Sequence, residues 1–121
     1  MIATFYIYVD GSDLDEIAPE LRARIDSFVA PYKGRVRVVD QRGKVGVSDD
    51  LPDWDLGVNF ELVVLTIAER KDLLQFFQIL SGEIGRDFVL GGILQQNQTD
   101  DFMAISAGAS LASAIDLLCA E

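Results

Sequence analysis

The chain has 121 residues, of which half are hydrophobic, and its 20 acidic and 10 basic residues give a formal net charge of −10. The length predicts one domain, residues 1–121, large enough to enclose a hydrophobic core. A field of this sign repels phosphate, so we expect neither nucleic-acid binding nor docking on an anionic membrane. It favours a basic protein partner, although acidity also serves solubility alone.

The residue types that are rare in this chain exclude several chemistries. There is no histidine, which removes the commonest general base and the commonest zinc ligand. Cys119 is the only cysteine, so no intrachain disulfide is possible, and one thiol fits a reducing compartment. The N-terminal residues show neither a signal peptide nor a membrane span. We therefore predict a cytoplasmic protein that is not an enzyme and has no cofactor and no metal site.

The first half of the chain predicts two strands separated by a helix. Residues 3–9 alternate between apolar and other strand-forming side chains, which is typical of a strand. Residues 12–29 carry apolar side chains at helical spacing, and Pro19 within them should kink the helix or separate its first turn. Residues 35–40 predict a second strand, which a turn connects to a short return strand at 45–47.

A long strand and a capped helix form the centre of the pattern. Residues 56–65 predict a strand whose apolar second half lies centrally in a sheet. The sequence Thr66-Ile67-Ala68-Glu69 fits a capping box and predicts the start of a helix over residues 67–84. Gly85 can adopt the left-handed conformation that ends such a helix.

The last third of the chain predicts a hairpin and a short helix. Residues 87–94 form the next strand, and the paired glycines Gly91 and Gly92 indicate a bulge or a close backbone approach. Residues 102–105 form its hairpin partner. A stripe of Leu111, Ile115 and Leu118 predicts a C-terminal helix.

This order of elements predicts an α+β fold. Its first six major elements match the βαββαβ pattern of a ferredoxin-like sandwich, to which a C-terminal strand and helix are added. We expect a mostly antiparallel sheet with the helices on one face. Such a fold hosts many functions and selects none of them.

The strongest candidate site is an acidic loop that precedes the strand at 56–65. It contains four carboxylates around one tryptophan: Asp49, Asp50, Asp53, Trp54 and Asp55. Crowded carboxylates gain from a cationic partner, and tryptophan is enriched at binding hot spots. The alternative is that the acids and Pro52 form a turn and that Trp54 folds back into the core.

Other constellations are weaker. Neither this loop nor residues 10–16 has the ligand spacing of an EF-hand, and the glycines match no nucleotide-binding motif. Cys119 follows an apolar stripe and is expected to pack rather than react. The basic residues between 33 and 44 should balance the acidic loop or face solvent on an edge strand.

Two functional hypotheses follow. The first is a small acidic protein-binding module, such as an inhibitor or bacterial immunity protein that covers a basic partner, for example a toxic nuclease, by steric and electrostatic occlusion. The alternative is a ferredoxin-like domain that senses a ligand or associates with itself as a dimer. The sequence leaves open whether the chain is a monomer or a homodimer.

Overall fold

A computed structural model of the protein describes residues 4–9, 16–41, 55–93 and 99–119. It is an α+β domain built from a five-stranded antiparallel sheet and three helices. The elements in chain order are β1 (Thr4–Val9), α1 (Ala18–Val29), β2 (Val36–Gln41), β3 (Asp55–Glu61), α2 (Ile67–Ile84), β4 (Phe88–Ile93), β5 (Thr99–Ile105) and α3 (Ala112–Cys119). Short 3₁₀ turns follow α1 at Ala30–Tyr32 and β3 at Leu62–Val64.

The strands lie side by side in the order β2-β3-β1-β4-β5. Every neighbouring pair is antiparallel. The pairs Gln41–Asp55 and Val9–Phe88 lie at one end of the sheet, and Thr4 pairs with Glu61 at the opposite end. The two ends of the sheet therefore receive different connecting segments.

One face of the sheet and the three helices enclose a single hydrophobic core. Alternate residues of each strand point into it, as a pleated strand requires. Its largest fully buried side chains are Phe60, Phe77, Phe88, Ile7, Leu21, Ile25, Leu56, Leu73, Leu74, Leu80 and Leu90. Helix α3 contributes Ala114 and Leu118 to the same cluster. Helices α1 and α2 meet through Phe28 and Phe76, whose rings stack with centroids 4.0 Å apart.

Helix α2 begins and ends as the sequence predicts. The Thr66 hydroxyl accepts a hydrogen bond from the Glu69 backbone N–H at 3.1 Å, and the Glu69 carboxylate accepts one from the Thr66 N–H at 2.9 Å. Gly85 ends the helix in the left-handed region at φ 69°. Both signals involve neighbours in sequence, which is why they could be identified without a structure.

The predicted strand at 56–65 is too long. Strand β3 ends at Glu61, and Leu62–Val64 form a 3₁₀ turn instead. Val63 is 89% exposed there, Leu62 is partly buried against the core, and Leu65 is fully part of it. An apolar run with no alternation does not specify its own conformation, so tertiary contacts decided it. The expectation that this half of the segment lies centrally in the sheet is therefore wrong.

Within the described residues, helix α1 begins later than the predicted start at residue 12. It starts at Ala18, and Pro19 occupies its first turn, where a missing N–H costs nothing because no intrahelical acceptor exists for it. Its first backbone hydrogen bond runs from the Leu21 N–H to the Ile17 carbonyl at 2.8 Å. The helix-start signal at residues 12–15 and the return strand at 45–47 lie outside the described residues.

The paired glycines of β4 mark an irregularity, as predicted. The register between β4 and β5 shifts at Leu90 and Gly91. Gly91 also lies against the neighbouring strands: a Cβ there would overlap the phenol of Tyr6 and would lie 2.5 Å from the Asp100 carbonyl oxygen. Glycine is required at this position by the close approach rather than by an unusual φ.

Candidate functional site

The predicted acidic site is only partly within the described residues. Asp49, Asp50, Asp53 and Trp54 lie outside them. Both alternatives for the Trp54 indole, binding anchor or core side chain, therefore stay predictions. Asp55 is described as the first residue of β3, where its backbone lies opposite Gln41 at the end of β2. The register therefore defines where residues 42–54 leave the sheet and where they rejoin it.

Strand pairing brings a second acidic segment to the same end of the sheet. Residues 10–15, which contain three aspartates, follow Val9 at the end of β1. Strand β1 lies next to β3, and Tyr8 pairs with Gly57, two residues after Asp55. We call the end of the sheet formed by Val9, Gln41 and Asp55 the acidic end.

Two arginines of α1, Arg22 and Arg24, are engaged in ion pairs. Arg22 donates to Asp26 at 3.2 Å and to Asp40 at 3.0 Å. The Asp26 hydrogen bond is the main reason why the pKa of Arg22 is raised. Arg24 contacts Glu83 at 2.5 Å and so connects α1 to α2. Both guanidinium groups therefore have acidic partners within the described residues.

Asp40 is itself unsuited to contact a partner. Its side chain is 8% exposed and accepts the Arg22 hydrogen bond on the helix-facing side of β2. Burial together with this partner gives Asp40 a role in attaching α1 to the sheet.

The sheet face opposite the helices carries a pair of tyrosines, Tyr6 and Tyr8, whose sequence pattern predicted only that they lie in a strand. The rings of Tyr6 and Tyr8 stack with centroids 4.6 Å apart. Tyr8 donates its hydroxyl hydrogen bond to the Asn59 side-chain oxygen at 2.6 Å, and Tyr6 donates to Asp101. Tyr6 and Tyr8 alternate with three core residues along β1. This alternation in the sequence indicated that both rings lie on the same face of the sheet. Because Tyr6 is 3% exposed, the cluster is predominantly structural.

The basic residues that precede and begin β2 do not balance the acidic loop through any described contact. Arg35 binds Glu69 in a bidentate pair at 2.9 and 2.8 Å, and Arg37 contacts Glu61 at 3.2 Å. Both pairs lie toward the opposite end of the sheet, where β3 ends and α2 begins. Arg35 also holds the pKa of Glu69 down to about 2, with further help from the Thr66 N–H. This cluster therefore stabilises the fold between β2 and α2.

Two kinds of reactive site are relevant to the described residues, a metal centre and a nucleophilic thiol. They contain no group of three or more acidic, cysteine or histidine side chains placed to hold a metal ion. Burial raises the pKa of the Cys119 thiol, so its nucleophilic thiolate is disfavoured at neutral pH. Over the same ranges no helix combines the length and the hydropathy that a bilayer crossing requires.

Comparison of the chain with protein-family models, with curated proteins and with solved structures finds no match.

Proposed function

We propose that this protein is a non-enzymatic binding module whose acidic end takes a basic protein partner. The observation that carries the proposal is the register of β2, β3 and β1, which attaches two aspartate-rich segments to the same end of the sheet. Charges gathered on one side of a small domain produce a stronger local field than the same charges dispersed. The contact residues would be Asp49, Asp50, Asp53, Trp54 and Asp55, with the indole as anchor.

In its sharper form the proposal is an inhibitor of the immunity-protein kind. A domain with net charge −10 would associate quickly with a basic active site, such as that of a nuclease, and would exclude its substrate by occupying the site. Such inhibition requires no catalytic group. An inhibitor of this kind fits a reducing cytoplasm, and so does the presence of a single cysteine.

We also propose that the first four strands and α1 and α2 form a ferredoxin-like unit to which β5 and α3 are added. In a split βαβ arrangement, the strands joined by a helix are separated by another strand. The order β2-β3-β1-β4 supports this, since β3 separates β1 from β2, and β1 separates β3 from β4. The helices then lie on one face and leave the ends of the sheet accessible to partners.

The proposal is tested with two variants that remove the same amount of charge. Neutralising D49N/D50N/D53N should weaken binding to a purified basic partner by about tenfold or more, mainly through slower association, because steering depends on local charge. The matched control D72N/D100N/D116N removes three exposed carboxylates elsewhere and should change binding little. The partner is first obtained by low-salt capture from the source cells and is then purified.

Binding is measured at low protein concentration across a salt series. Affinity should fall as salt rises, because the Debye length shortens to about 8 Å at physiological ionic strength. Equal loss of affinity in both triple variants would refute a localised acidic site. A partner whose affinity is independent of salt and of Asp49, Asp50 and Asp53 would refute the electrostatic mechanism.

A further inference from the structure

Helix α3 buries little of its own surface. Two of its eight residues, Ala114 and Leu118, are buried, and four are exposed. Isolated helices shorter than about 12–15 residues are marginal in water, so an eight-residue helix depends on its docking. Helix α3 therefore forms only while it packs against the domain, and few of its side chains stabilise that packing.

One arginine of α2 holds the C-terminal end of α3. The Arg70 guanidinium donates to the Leu118 carbonyl at 3.0 Å and to the Leu62 carbonyl, in the turn after β3, at 2.6 Å. The last carbonyls of a helix have no donor within the helix, and a cation there also suits the helix dipole. The Arg70 Nε is buried and has no hydrogen-bond partner among the described residues. A buried donor without an acceptor costs free energy, so the docked state carries a penalty that water removes when α3 leaves.

The segment that enters α3 can act as a hinge. Residues 106–110 read Ser-Ala-Gly-Ala-Ser, and Gly108 within them has φ 76°. The Gln78 side chain of α2 donates to the carbonyls of Ser106 at 3.3 Å and Ala109 at 2.5 Å. These two bonds attach the segment to α2 just before α3 begins. Rotation of a few backbone torsions between Ala109 and α3 would then move the helix without detaching the segment.

We propose that α3 is a strap that undocks from the domain while the sheet, α1 and α2 stay folded, and that Arg70 is the latch that holds it closed. In the docked state Arg70 binds the Leu118 carbonyl, and in the open state water takes the place of this carbonyl. Opening uncovers the part of the core that Ala114 and Leu118 cover. The turn after β3 stays in place, because Arg35 binds the Val64 carbonyl without involving α3. Neither α3 nor Arg70 belongs to the acidic end, so the strap opens with or without a basic partner.

Native-state amide hydrogen exchange, followed by NMR, measures the opening. The Ile115 N–H donates to the Leu111 carbonyl at 2.8 Å and reports on α3, whereas the amides of β1, which is paired on both sides, report on the sheet. After correction for intrinsic rates, the Ile115 amide should exchange about 100-fold or more faster than the slowest amides of β1. A small amount of urea should change the Ile115 rate little, because undocking of α3 exposes much less surface than global unfolding.

Two substitutions at the docking contact should open the strap. Leu118→Ala should raise the Ile115 exchange rate by about tenfold or more, because the docked state loses a fully buried side chain. Its matched control is Leu117→Ala at the neighbouring residue, which is 38% exposed and should change the rate little. Arg70→Met should raise the Ile115 rate by about tenfold, since the Leu118 carbonyl loses its charged donor. Arg24→Met, which removes an ion pair between α1 and α2, should leave this rate unchanged.

A substitution in the sheet distinguishes a strap from a helix that opens only with the whole domain. Gly57→Ala places a Cβ where it would overlap the Ile7 carbonyl oxygen of β1, so this variant should destabilise the sheet. The sheet is intact in both states of the strap. Gly57→Ala should therefore speed exchange of the β1 amides and leave the Ile115 rate unchanged.

Three results would overturn the inference. Equal opening free energies for the Ile115 amide and the slowest β1 amides of the wild type would show that α3 has no opening of its own. Equal acceleration of both by Gly57→Ala would show that α3 opens only when the domain unfolds. An Ile115 rate that Arg70→Met leaves unchanged would show that Arg70 is not the latch.

Discussion

Replacing Gly57 by alanine should destabilise the fold strongly. Gly57 lies in the middle of β3 opposite Tyr8. A Cβ at this position would overlap the Ile7 carbonyl oxygen and would lie 2.9 Å from both the Ile7 carbonyl carbon and the Tyr8 Cα. Carbon atoms in contact are about 3.5–4.0 Å apart, so the two strands would have to separate by about 1 Å.

The neighbouring strand cannot move aside easily. Strand β1 is paired on its other edge with β4, so a displacement of Ile7 disturbs two ladders of hydrogen bonds. Overpacking typically costs about 1–3 kcal/mol, and a clash with backbone in the middle of a sheet belongs at the upper limit. Alanine restricts the unfolded chain and returns about 0.4–1 kcal/mol. The expected net loss for Gly57→Ala is about 2–3 kcal/mol.

Urea unfolding followed by circular dichroism measures this loss. With a slope of about 1–3 kcal/mol per molar urea, the midpoint for Gly57→Ala should fall by roughly 1–3 M. Gly82→Ala is the matched control, because its new Cβ would meet only the Ala107 Cβ at 3.3 Å. Alanine is favoured over glycine within a helix by up to about 1 kcal/mol, so this control should unfold at the same midpoint or later. Equal midpoints for Gly57→Ala and the wild type would refute the close approach of β1 and β3.

Two further predictions concern the start of α2. Thr66→Ala should lower the free energy of unfolding by about 1 kcal/mol, measured by urea titration at pH 7, because the Glu69 N–H loses its acceptor; an unchanged midpoint would contradict the capping role. The second concerns acid: the pKa of Glu69 falls from 4.5 to about 2 on folding, first through Arg35 and then through the Thr66 N–H. The ionised carboxylate therefore stabilises the folded state above pH 4.5, and this contribution disappears as the pH falls from 4.5 to about 2. Glu69→Gln should be less stable than the wild type at pH 7, and the difference should shrink by pH 3; a difference independent of pH would show that ionisation of Glu69 is not linked to folding.

The sequence predicted the elements whose signals are local. Helix α2 occupies the predicted residues because its capping box and its terminal glycine act within four residues of the backbone that they specify. The antiparallel hairpin of β4 and β5 was predicted for the same reason, since its strands are close in sequence. Pro19 was expected to kink the helix or to separate its first turn, whereas in the structure it lies in the first turn of α1, which begins at Ala18.

The segment 62–65 shows why the remaining predictions failed. Its apolar residues predicted a buried strand, because apolar side chains on both faces are typical of the centre of a sheet. The structure instead holds the turn through Arg35, which is 29 residues away in sequence from the carbonyl that it binds. No pattern within the segment itself contains that contact.

Some features of the candidate site likewise follow from the sequence, and others follow only from the fold. The sequence alone determined that the chain is acidic, that it lacks histidine, and that aspartates cluster before β3 and after β1. Only the pairing of β1 with β3 brought the strand residues next to those two clusters, Val9 and Asp55, to one end of the sheet, and only the structure showed that Val63 is exposed toward the opposite end. The physical reason is that charge and local conformational preference belong to single residues and near neighbours, whereas proximity across a sheet is decided by which strands share hydrogen bonds.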